Sequence, residues 1–203
     1  MSFLREIFGP SKKEAWTNFA DEVGGKFIRG SFFKEDKVEA KAGQWTIVFD
    51  THKVKVGKIY MTYTRVRAPF ITTDNFYFKA YREGVFTDLG IRLGMQDIQI
   101  GSRDFDSNFV IQSNDEEKVR QLFSKDELRS CLLSEPYMTI EIKNNDGFLG
   151  AFFPKDVCQL YFHAAGVVKD LKSLKNLYYL FAETLNQLYS IGSASANTPD
   201  VTI

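Results

Sequence analysis

The chain has only two histidines and two cysteines, His52, His163, Cys131 and Cys158, among its 203 residues. A tetrahedral site of nitrogen and sulfur ligands would have to gather all four, so no transition metal and no cofactor is expected. Cys131 and Cys158 lie in separate apolar runs and read as free thiols of a reducing compartment. Net charge is absent too: Lys plus Arg and Asp plus Glu are 26 each, which gives no overall attraction to nucleic acid. No stretch approaches the roughly 18 consecutive apolar residues of a membrane span, and "MSFLREIFGPSKK" has no signal-peptide core. These absences favour a cytoplasmic, non-spanning chain. Phe3 to Phe8 forms at most one amphipathic turn, which packs on its own domain or touches a membrane surface or partner.

Catalytic signatures are lacking as well. There is no G-x-S-x-G elbow. Cys158 and His163 are an odd number of residues apart in one apparent strand, which points them to opposite faces. "EVGGKF" and "RLGMQDIQIG" carry glycines without a phosphate-loop lysine or dinucleotide spacing.

What is present is aromatic core material, with Phe alone at 19 residues and hydrophobic residues at 44%. That composition suits one large folded domain without staples. "SKKEAWTNFADEVGG" predicts a helix capped by Ser11 with Glu14 three residues on, burying Ala15, Trp16, Phe19, Ala20 and Val23. From Lys26 to Arg82 the period shortens to two: Trp45, Ile47 and Phe49 share one face, as do Ile59, Met61 and Tyr63, as in an antiparallel meander. "GVFTDLGIRLGMQDIQIG" mixes glycines with strand-like alternation at Ile98 and Ile100.

"FVIQ" then reads as a short strand, and Asn114 with Glu117 and Ser124 with Glu127 read as caps of two short helices ending before Pro136. "YMTIEIK" turns Met138, Ile140 and Ile142 inward, "NNDG" signals a hairpin, and "FLGAFF" and "VCQLYFHAAGVV" read as further strands. Asp170 opens a long helix whose apolar stripe runs from Leu171 to Leu188, widened by Leu177 and Leu180. Residues 193–203 are small and polar, and are expected to be a disordered tail.

The fold expectation is α+β: two groups of antiparallel strands covered by an N-terminal helix, two short middle helices and a long C-terminal amphipathic helix, in a single domain 1–192 with possible lobes 1–93 and 94–192.

The order "RDFDSNFVIQSNDEEKVRQLFSKDELRSCL", strand pair, long closing helix resembles a widespread bacterial family of uncharacterised proteins. The positions carrying the resemblance are Phe105, Asp106, Phe109, Asp115, Leu122 and Leu132, within Met95 to about Leu188. It implies an α+β arrangement and supplies neither activity nor catalytic residues. Some members carry membrane-spanning segments before this region, which this sequence does not show.

Two constellations could carry chemistry. Asp104 and Asp106 are a carboxylate pair that could bind a cation or act as acid and base; the structural reading has them bonding free N–H groups of a turn whose Phe105 and Phe109 are buried. Arg65 and Arg67, two apart in "TYTRVRAPF", share a strand face where their forked donors could hold a phosphate or carboxylate, with Lys58 and Arg82 nearby; the structural reading is a charged strand face that discourages edge pairing. The favoured function is a non-catalytic binding or scaffolding domain for a protein or a small anionic ligand. The alternative is a hydrolase or phosphate-ester enzyme using Asp104 and Asp106 with Arg65 and Arg67.

Overall fold

A computed structural model describes residues 10–31, 35–82, 97–135, 138–144, 153–201 and 203. The architecture is α+β. In chain order the described elements are α1 (Lys12–Glu22), β1 (Lys26–Ile28), β2 (Lys37–Ala42), β3 (Trp45–Val56), β4 (Ile59–Ile71), β5 (Phe78–Arg82), α2 (Arg103–Asp106), β6 (Phe109–Ser113), α3 (Glu116–Leu122), α4 (Asp126–Ser134), β7 (Met138–Lys143), β8 (Val157–Ala165) and α5 (Leu171–Ser190).

The strands form one eight-stranded antiparallel sheet in the order β1-β2-β3-β4-β8-β7-β5-β6. The two expected groups of antiparallel strands thus form a single sheet: β8 joins them, pairing Val66 with Phe162 on one side and Ile140 with Phe162 on the other. No local pattern reveals such a pairing, because the partners lie far apart in sequence.

The alternation in each strand separates two faces. The face bearing Val38, Ile47, Phe49, Val66, Ala68, Phe78, Ala80, Ile140, Leu160 and Phe162 is fully buried. α5 closes it with Leu174, Leu177, Leu180, Phe181, Leu185 and Leu188, and α1 adds Trp16 and Phe19. Phe162 meets Phe181 edge-on, with ring centroids 6.5 Å apart. Ser11 caps α1 by accepting from the Glu14 N–H, and Asp170 caps α5 by accepting from that of Ser173. The short middle helices start differently from expectation. Asp115, not Asn114, caps α3 through the Lys118 N–H, and Lys125 precedes α4 with no side-chain cap, while Ser124 Oγ donates to the Gln121 carbonyl. Asn114 is spent elsewhere, bonding the Tyr77 N–H and the Asn75 carbonyl.

The tail expected to be disordered is packed from Ser193 to Pro199. Ser193 and Ala194 are buried, Ala194 bridges Thr72, the Ser195 N–H donates to Ile71, and Thr198 Oγ1 donates to Gln44. The cause lies in β4: its ladder with β3 ends at Val48 and Arg67, two residues short of Pro69, which has no N–H to offer. The tail takes up the edge that β3 leaves at Ile71. Low hydrophobicity conceals this, since the attachment is made by backbone groups.

The segment 83–96, the hairpin signal at 145–147, most of "FLGAFF" and Phe3 to Phe8 lie outside the described residues. Among those described, no helix is long and apolar enough to cross a membrane.

Candidate functional site

The second face of the sheet is polar, yet much of it is buried. Asp50, Arg67, Lys79, Gln112, Thr139, Glu141 and Gln159 are all buried. At its centre Arg65 grips Asp50 through two parallel bonds of 2.7 and 2.8 Å, and Arg67 adds a third at 2.6 Å. Burial alone would raise the Asp50 pKa, but the Arg65 hydrogen bonds and the Arg67 charge outweigh it and hold the carboxyl below its ordinary range. The two arginines thus share a strand face as expected, and the anion between them comes from β3 of the same chain. Lys58 sits apart in the β3–β4 turn, and Arg82 points away, donating to the Leu133 carbonyl.

Beside this clamp runs an aromatic row: His52 lies against Tyr63, Tyr63 against His163, and His163 against Tyr161, with ring centroids 5.6 to 5.7 Å apart. Both histidines are pushed down to about 4, His52 by burial and then Arg65, His163 by burial and then Lys143. They are neutral at physiological pH.

Asp104 and Asp106 do not meet the arginines. Asp106 accepts from the N–H groups of Ile100 and Gly101, tying the loop to α2, and Asp104 is exposed. Phe105 and Phe109 are buried and stacked with centroids 4.5 Å apart. Asp104 and Asp106 are carried beside β6, four strand positions from β4, or about 19 Å at ~4.8 Å per strand. Phe105 and Phe109 also pack on the apolar face, opposite the arginines.

A cleft of about 510 Å³ opens where β5, β6, β7 and β8 come together with the loop before β5. Lys79, Lys143 and Lys155 line it with Asn75, Asn114, Asn144, Gln112, Glu141 and Asp74. Most of its charges have partners. Asp74 is held by Lys118 and Ser193. Lys143 lies 3.1 Å from Glu141 and 3.5 Å from the centroid of the Tyr161 ring. Lys79 differs: it is 7% exposed, and among the described residues its ammonium makes no ion pair, only a 5.7 Å approach to the Tyr81 ring. Cys158 also lines the cleft, its thiol pushed up by burial and by Asp74, so it stays protonated and weakly nucleophilic.

None of Asp104, Asp106 or Arg65 lines this cleft. The lysines that do were missed because each looks like an ordinary surface residue. The available signal was the alternation of "FKAYR" and "TIEIK", which puts Lys79, Glu141 and Lys143 on the face opposite Phe78, Ala80, Ile140 and Ile142.

No family model matches the chain, and no curated protein matches it in sequence. Among solved structures, the mycobacterial trehalose monomycolate transport factor A aligns with 94% of this chain and 98% of its own, at a TM-score of 0.48 and 8% identity.

Proposed function

We propose that this chain is a non-catalytic binding domain that takes a small anionic ligand, a phosphate or carboxylate, in the cleft beside Lys79. One observation carries the reading: Lys79, a residue only 7% exposed, lines a polar cleft, and among the described residues no carboxylate lies within ion-pair distance of its ammonium group. An anion in the cleft supplies that partner. Asn75 and Gln112 in the lining supply amide groups to orient its oxygens. Catalysis is disfavoured by the same geometry. The thiol is protonated, the histidines lie outside the lining, and the aspartates and arginines of the hydrolase alternative are carried beside strands four positions apart.

The test is a thermal-shift titration with inorganic phosphate, pyrophosphate and succinate. An anion at a hundred times its Kd stabilises by about 2.7 kcal/mol, and Lys79→Met removes that response while Lys172→Met, on the exposed side of α5, keeps it. Absence of a shift with all three anions, or an equal shift in Lys79→Met, overturns the proposal.

A further inference from the structure

The β3–β4 hairpin runs on past the sheet. β2 leaves β3 at Phe49, β8 leaves β4 at Thr64, and the last outside backbone contact of the ribbon is the Gly166 N–H on the Thr62 carbonyl. Beyond it, among the described strands, Val54 to Val56 pair only with Ile59 to Met61, a two-stranded projection about 10 Å long at ~3.4 Å per residue. Gly57, at φ +61°, supplies the left-handed backbone that its two-residue turn with Lys58 requires.

The projection is apolar and basic together. Ile59 is 63% exposed and Tyr60 68%, with Val54 and Met61 also open. The register sets Val54 opposite Met61 on one face and Lys55 opposite Tyr60 on the other. Lys53, Lys55 and Lys58 are exposed, and among the described residues none of them forms an ion pair with an acid. From Thr51 to Tyr63 the ribbon carries Lys53, Lys55 and Lys58 and no acidic residue, a local excess of positive charge in a chain of zero net charge.

We infer that the hairpin tip is a docking element for an anionic lipid surface. Apolar side chains and a tyrosine flanked by lysines match the boundary between headgroups and acyl chains, where the aliphatic stems lie along the apolar layer and the ammonium groups meet lipid phosphates. A convex two-stranded tip with four open apolar side chains offers far less than the ~800 Å² per partner that a stable protein interface buries, whereas a charged bilayer rewards each added lysine. The outward N–H and C=O groups of both strands lack partners in any other described strand, which limits the tip to the headgroup zone where water and lipid oxygens serve them.

Sedimentation with vesicles tests this. The full chain pellets with phosphatidylcholine vesicles containing a quarter phosphatidylglycerol and stays in solution with phosphatidylcholine alone. Raised salt weakens the binding. Changing Lys53, Lys55 and Lys58 together to Gln reduces it by on the order of 100-fold, at about fivefold per lysine. Ile59→Asp with Tyr60→Asp abolishes it without altering the melt, and Lys172→Met leaves it unchanged. Failure to pellet with the anionic vesicles, or pelleting undiminished in both hairpin variants, overturns the inference. So does a hairpin-dependent protein complex formed by a chain that ignores vesicles, which assigns the tip to a protein partner.

Discussion

The two faces of the sheet are built from alternate residues of the same strands, and they hold the molecule together by opposite means. Ile47 and Phe49 on β3 pack into an aromatic and aliphatic layer under α1 and α5, where contact is unspecific in direction and strength comes from area. Asp50, the next residue on, is held by three directed bonds from Arg65 and Arg67. One face resists loss of volume, and the other resists loss of charge balance. Burial by itself therefore does not distinguish a core from a site, since Phe162 and Gln159 are both at 0% exposure on one strand.

The contrast can be broken most severely from the apolar side. Phe162→Ala removes a buried ring that meets Phe181 and should cost about 3 to 5 kcal/mol, measured by denaturant unfolding. On the polar face, Asp50→Asn preserves shape and removes the charge between two arginines, with an expected loss of about 3 kcal/mol. Because the Asp50 pKa is depressed on folding, its contribution is present at neutral pH and is lost as pH falls through its folded value. The acid limb of the wild-type stability profile should accordingly flatten in this variant.

The smallest effect sharpens the comparison. His163 is lowered to about 4 from 6.5, so the unfolded chain takes up its proton first as pH falls. Stability from this group is complete above pH 6.5 and declines between 6.5 and about 4. His163→Gln should reduce the decline between pH 6.5 and 5, a range above the titration of ordinary carboxylates. An unchanged slope in urea titrations across that window would show that the histidine is protonated equally in both states.

Much of the apolar face could be read in advance. Trp45, Ile47, Phe49, Met138, Ile140 and Ile142 were placed inward from their period of two, and Leu174 to Leu188 from the period of a helix. Burial of apolar groups is governed by local alternation, so a short window contains the answer. The union of the strands into one sheet was hidden because β8 meets β4 across roughly half the chain. The same meander pattern also misled at its tip: Ile59 and Met61 continue the strand's alternation, but the sheet has ended before they arrive. At the site, the strand face of Arg65 and Arg67 was legible while Asp50 as their partner was not, and Lys79 gave no sign beyond a charge in an alternating strand. Its isolation follows from what fails to reach it, and only the assembled sheet shows that.

The position of β8 has a consequence for the order in which the chain can fold. Synthesis delivers β1 to β4 as neighbouring hairpins and β5 to β7 well before β8, yet β8 lies between β4 and β7. Thr64 must wait for Ala164. Until then each half presents an open strand edge, and closing a loop of this length is slow compared with forming a hairpin. A chain halted before Val157 would expose the edges of β4 and β7 together with the apolar layer that α5 covers, the combination that promotes association between incomplete chains. The segment from Val157 onward thus acts as the clasp of the fold, and the nascent protein is vulnerable until it is fastened.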